Sequence, residues 1–237
     1  MTLTDIEKKW DFKYPPIFHQ LWEDGMFSYG DLSEGWNTVV YPKIKDYPPL
    51  FLHCYDFELH FSTEIIEEEL ELFYREDEYC HVLPDIKLVP FGMTGAHDLY
   101  CFYFNGQIGE DIPIVYIENV EDEGVYLAKN LNEYIFIRML YELSEIEVPS
   151  DEIELAEYWD NYKATLRSHS KYMTTEQVLF LESLHSKESK EIIVYNYKGE
   201  ESFRYNSVLT EEEFKKYRDL YCPYDKYEER FVFMVIS

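Results

Sequence analysis

Val89-Pro90-Phe91-Gly92-Met93-Thr94-Gly95-Ala96-His97-Asp98-Leu99-Tyr100-Cys101-Phe102 joins two apolar, aromatic-bearing runs through a short polar break that holds two glycines. Runs of this kind, bounded by Gly, Asp and Asn, read as strands joined by turns. One strand is predicted from Ile86 to Phe91 and a second from Leu99 to Phe104, with Gly92-Met93-Thr94-Gly95 as the turn. Gly92 and Gly95 are expected to supply positive-φ positions, where a Cβ is costly. Asp98 is expected to accept hydrogen bonds from turn amides and so pin the hairpin. Neighbours on a strand point to opposite faces, so the dipeptide His97-Asp98 is weak support for acid/base chemistry.

Downstream, Asn105-Gly106 is a hairpin turn signal, Ile112 to Ile117 reads as a strand, and an acidic turn spans Glu118 to Glu123 before a short strand through Tyr126. Asn130 or Asn132 caps an apolar helix that holds Leu131, Tyr134, Ile135, Ile137, Met139, Leu140 and Leu143. Upstream, Phe57-Glu58-Leu59-His60-Phe61 alternates with the period of a strand. Ser62 or Thr63 then caps a helix with Ile65, Ile66, Leu70 and Phe73 inside and Glu64, Glu67, Glu68, Glu69 and Glu71 outside. At the N-terminus, Thr4-Asp5-Ile6-Glu7 has the spacing of a capping box for a helix to about Trp10. Pro15 and Pro16 suit the first turn of a second helix with Ile17, Phe18, Leu21 and Trp22 on one face, and Gly25 stops it.

Beyond a boundary at Pro149-Ser150, helices are predicted from Ser150 to about Leu166, from Thr175 to about His185, and from the capping box Thr210-Glu211-Glu212-Glu213 to about Leu220. A hairpin turns at Lys198-Gly199, and Phe231 to Ile236 reads as a terminal strand. The fold class is therefore α+β: an N-terminal helical hairpin, a largely antiparallel sheet flanked by helices, and a C-terminal α+β extension. The division expected is 1–149 and 150–237.

The charge is lopsided. Among 237 residues, 48 acids oppose 21 Lys and Arg, a net charge of −27. Residues 1–150 hold 30 acids and 9 bases, and residues 151–237 hold 18 and 12. Nucleic-acid binding needs phosphate neutralisation by Lys and Arg, and anionic membranes need the same, so neither partner is expected. A basic protein is. Glu64, Glu67, Glu68 and Glu71 of the acidic helix, with Glu118, Glu121, Asp122 and Glu123 of the acidic turn, are the candidate contact residues. The alternative is a solvated surface that only confers solubility.

Cys54, Cys80, Cys101 and Cys222 lack C-x-x-C spacing. With His53, His60, His81 and His97 they match no zinc pattern, so reduced, mostly buried thiols and no metal or cofactor are expected. With Asp5, Glu7, Lys8 and Lys9 in its opening stretch, the chain shows no apolar leader and is read as cytoplasmic. There is no G-x-S-x-G, G-x-x-x-x-G-K-[ST], H-E-x-x-H or G-x-G-x-x-G motif, and a chain with 9 Gly has few means of building phosphate-cradling loops. No catalytic residues are expected.

Three blocks resemble the SUKH superfamily. The first is Ile6-Glu7-Lys8-Lys9-Trp10 with Tyr14-Pro15-Pro16-Ile17-Phe18 through Asp24-Gly25. The second is Val89 to Phe102, with Phe91, Gly92, Gly95, Asp98 and Tyr100 as its motif residues. The third is Pro113-Ile114-Val115-Tyr116, followed by the acidic turn and Leu127 to Phe136. Ala96 or His97 stands where the family has a further Gly, residues 36–85 match no block, and residues 150–237 lie outside the likeness. The resemblance implies either of two non-catalytic roles. Bacterial members are associated with immunity to toxins, which implies stoichiometric neutralisation of a nuclease-type toxin. The founding fungal members are cell-wall glucan synthesis regulators, which implies a regulatory or scaffold protein. A hydrolase using His97 and Asp98 ranks third.

Overall fold

The computed structural model describes residues 1–32, 35–75, 80–104, 109, 111–119, 121–144 and 155–236. The predicted turn at Asn105-Gly106, the Pro149-Ser150 boundary and the helix start at Ser150 lie outside them.

Two helices open the chain, α1 (Leu3–Trp10) and α2 (Pro16–Glu23). The capping box of α1 is formed by Thr2 and Asp5, not by Thr4 and Glu7. Glu7 is used elsewhere: its Oε1 accepts the Tyr14 amide at 2.9 Å and lies 2.8 Å from His19 Nε2. That pair of contacts ties α1 to the entry of α2. Pro15 is the N-cap of α2 and Pro16 its first residue, where the missing N–H breaks no helical bond. The helix ends as a Schellman motif. Gly25, at φ +75°, donates to Trp22 O, and Met26 donates to Leu21 O.

Two short helices, α3 (Trp36–Val39) and α4 (Tyr41–Ile44), precede a two-residue strand, β1 (Glu58–Leu59). Ser62 caps α5 (Thr63–Phe73), in which Ile66 and Leu70 are buried, while Ile65 and Phe73 are half-buried. Then come β2 (Cys80–Val82), β3 (Lys87–Met93), β4 (Leu99–Phe104), β5 (Ile114–Ile117) and β6 (Glu123–Ala128). Asn130 caps α6 (Leu131–Tyr141). The C-terminal part adds α7 (Leu155–His169), α8 (Thr175–Leu184), β7 (Lys190–Tyr195), β8 (Glu201–Ser207), α9 (Glu211–Tyr221), β9 (Arg230–Val232) and β10 (Met234–Ile236). The N-cap of α8 is Thr174, one residue before the predicted start, and the box at Thr210 and Glu213 forms as predicted.

The main sheet has the order β1-β3-β4-β5-β6-β9, with every pairing antiparallel. One face carries Val89, Phe91, Tyr100, Phe102, Phe104 and Ile114, and packs with α2 and α6 into a single core. Phe102 packs edge-on to Tyr14 and Phe18 and tilted against Phe91, with centroids 4.9–5.7 Å apart. The other face carries Leu88, Cys101, Tyr103, Val115, Ile117 and Tyr126, and is closed by Phe233.

The predicted terminal strand therefore splits in two. Phe233, 1% exposed, leaves the line of the strand to enter the sheet's second face. Its amide bonds to Asp122 O and its carbonyl accepts from Leu83 N. β9 before it pairs with β6, and β10 after it pairs with β2. The C-terminal part thus supplies an edge strand of the main sheet as well as helices packed on α6.

Candidate functional site

The decisive stretch folds differently from its reading at the two glycines. Neither Gly92 nor Gly95 has a positive φ; His97 does, at +63°. β3 continues through Gly92 to Met93, with an extra residue, Phe91, bulged between the pairs Pro90–Cys101 and Gly92–Tyr100. A bulge is where a strand tolerates Pro90, which has no N–H for the ladder. Gly92 is needed for space: a Cβ there would sit 2.6 Å from Phe57 Cζ and 3.1 Å from Glu58 O. Gly95 serves through its amide, which donates to Asp56 Oδ1 at 2.8 Å.

The turn itself runs from Thr94 to Asp98, closed by Thr94 N to Asp98 O and His97 N to Thr94 O. The Asp98 carboxylate does not take the turn amides expected of it: those of Ala96 and Asp98 bond to Thr94 Oγ1, and Asp98 reaches outward instead. Its Oδ2 accepts from Tyr116 Oη at 2.6 Å and Thr94 Oγ1 at 3.1 Å. Its Oδ1 accepts the Asn119 amide at 3.0 Å, in the neighbouring acidic turn. Burial pulls its carboxyl upward, but the bonds from Tyr116, Asn119 and Thr94 outweigh this and hold it below the ordinary carboxylate value. Asp98 is therefore a fixed acceptor joining two turns, and His97 sits exposed at the tip.

The candidate contact residues lie on α5 and in the 118–123 segment. On α5, Lys9 of α1 bonds to Glu67 and, at 2.8 Å, to Glu71. Two of the four candidate glutamates on this helix are thus already neutralised from within the molecule. Glu69, half-buried, is pushed above its ordinary value by burial, with His97 acting against the shift and Glu68 reinforcing it. In the 118–123 segment, Arg230 of β9 lies 3.4 Å from Glu123. Asp122 is half-buried, and its carbonyl holds the Phe233 amide. Among the described residues, Glu64, Glu68, Glu118 and Glu121 are exposed and make no ion pair with Lys or Arg. They are the open part of the candidate set.

The sequence marked the acidic segments by their density but gave no signal that Lys9 would grip residues 58 and 62 positions away. The cysteines are reduced where described: Cys101 and Cys222 are buried and Cys54 is half-buried. Among the described residues no group of His, Cys, Asp and Glu is placed to hold a metal ion. Among them too, no helix is long and apolar enough to cross a membrane.

The model of the SMI1 / KNR4 family (SUKH-1) matches residues 2–137, and the chain belongs to that family. Comparison with curated proteins and with solved structures returns no match. The matched span covers α1 to most of α6, including every strand of the main sheet except β9.

Proposed function

We propose that this chain is a non-catalytic binding protein of the immunity type, which neutralises a basic, nuclease-type toxin by stoichiometric binding in the cytoplasm. One observation carries the reading: the 118–123 segment is tied to the Thr94–Asp98 turn through Asn119, and Glu64, Glu68, Glu118 and Glu121 are exposed and, among the described residues, form no ion pair with Lys or Arg. The turn is rigidified by hydrogen bonds on both Asp98 oxygens. A toxin that cleaves nucleic acid must hold phosphates with Lys and Arg. An acidic surface steers towards such a groove, occupies it and excludes the substrate. Family membership agrees with a binding role.

The test begins with the genes flanking this one: a nuclease-type domain found there is assayed for binding and inhibition by this protein, followed by stopped-flow at two salt concentrations. Reversing Glu64, Glu68, Glu118 and Glu121 together to Lys is expected to lower the association rate at least about tenfold at low salt, with a smaller difference at high salt. Complex formation indifferent to both salt and charge reversal removes the acidic-surface reading. Several weak partners and no adjacent toxin gene would instead support the regulator or scaffold role.

A further inference from the structure

The β7–β8 hairpin is a sheet of two strands, so each strand keeps one unpaired edge. Among the described residues, no backbone hydrogen bond runs from Lys190–Tyr195 to any segment but β8. A bare edge is a template on which another strand can pair, and proteins blunt such edges with bulges and charge. β8 is blunted in both ways. Its extra residue, Ser202, lies between the pairs Val194–Phe203 and Tyr195–Glu201, and Glu201 forms an ion pair with Arg204 along it. β7 has no extra residue, no Pro and no Gly. Its charges, Lys190 and Glu191, stand at one end, and the stretch Ile192-Ile193-Val194-Tyr195-Asn196-Tyr197 that follows is uncharged.

Charge decides what can approach this edge. Residues 187–204 hold four bases, Lys187, Lys190, Lys198 and Arg204, against four acids, Glu188, Glu191, Glu200 and Glu201, in a chain of net charge −27. A basic partner is drawn to the acidic segments instead. The neutral hairpin is where a second copy of this chain meets little repulsion.

The strand is also complementary to itself. Ile192 and Val194 share one face of the hairpin with Tyr205, which pairs with Ile192. In an antiparallel pairing of two β7 strands with Ile193 opposite its own copy, Ile192 falls opposite Val194 and the two apolar faces become one. Lys190 then falls opposite Asn196, and Glu191 opposite Tyr195, so no like charges meet. A slip of one residue would set the apolar face of one copy beside the opposite face of the other. We propose that two copies of this chain associate through β7, as a four-stranded antiparallel sheet with a two-fold axis at Ile193. The contact is small, so it forms only at high protein concentration. Unfolding measured on dilute protein therefore reports the hairpin without its partner.

Sedimentation velocity from about 10 to about 500 μM protein tests this, with monomer expected at the low end and mostly dimer at the high end. Each copy carries the same large negative charge, so raising salt from about 50 to about 500 mM is expected to tighten the dimer several-fold. The same change weakens capture of a basic toxin, so the two readings fail separately. Ile193→Lys sets two like charges opposite each other and is expected to stay monomeric at the highest concentration, with an unchanged circular dichroism spectrum. Ile193→Cys is expected to form an intermolecular disulfide on oxidation at least about tenfold faster than Tyr197→Cys, which this register holds roughly 25 Å from its own copy. A chain that stays monomeric at the highest protein and salt concentrations overturns the proposal. So does an Ile193→Lys variant that dimerises like the unaltered chain, or equal cross-linking of the two cysteine variants.

Discussion

The β3–β6 meander and the β7–β8 hairpin are both antiparallel ladders of apolar and aromatic strands, yet they stand in opposite surroundings. In the meander, Phe91, Cys101, Phe102 and Val115 are fully buried, with one face under helices and the other closed by Phe233. In the hairpin, Ile192, Ile193 and Val194 are only half-buried, and Tyr195 and Tyr197 are 61% and 93% exposed. A lone two-stranded ladder is marginal in water, so the hairpin depends on its base, where the Val208 and Leu209 amides bond to Leu143 O. Strand-forming residues make the ladder in both regions; what covers the ladder comes from far along the chain.

The sharpest way to break this contrast is to truncate one core residue in each region. Phe102→Ala is expected to cost about 3–5 kcal/mol, whereas Ile193→Ala costs under about 1 kcal/mol, both read from urea unfolding. Equal losses would mean that the hairpin is packed against something in solution. Acid should come next. His169 is fully buried, its Nε2 accepting the Phe51 amide at 3.2 Å and its Nδ1 2.8 Å from Ser168 Oγ. Burial, with a smaller push from His53 and against a hydrogen bond to Thr165, lowers its pKa from 6.5 to about 3. A depressed histidine pKa means that protonation favours the unfolded chain. Its contribution is complete above about pH 6.5 and is lost towards pH 3, by up to about 1.4 kcal/mol per pH unit. His169→Gln is expected to flatten that slope in pH-dependent unfolding. The hairpin holds no histidine, and its amide exchange should follow only the intrinsic pH dependence.

The smallest effect separates two glycines. Gly92→Ala meets the Phe57 ring and the Glu58 backbone and is expected to cost about 1–3 kcal/mol. Gly199 lies at φ +76° in open space, so Gly199→Ala costs only the backbone strain, about 1 kcal/mol. Thermal melts of both variants check the order.

What the sequence revealed divides along the same line. Features with a local cause were legible: the Pro16 entry and Gly25 stop of α2, the Asn130 cap, the Thr210–Glu213 box, and β4 from its apolar run. Features set by distant partners were not. Thr2 rather than Thr4 caps α1, with Glu7 engaged by Tyr14 and His19. Gly92 yields space to Phe57 instead of turning the chain. The pairing of β9 with β6 and the grip of Lys9 on α5 have no local signature. The acidic segments were legible as charge, but the tie of the 118–123 segment to the Thr94–Asp98 turn, made by Asp98 reaching Asn119, was not.

The position of β9 and Phe233 has a consequence for synthesis. While residues 230–236 remain inside the ribosome, the nascent domain holds β6 with an unpaired edge and a second sheet face with no aromatic plug. Such edges recruit other strands. The interval between translation of α6 and emergence of β9, about 100 residues or several seconds at ordinary elongation rates, is when the polypeptide most needs chaperone shelter.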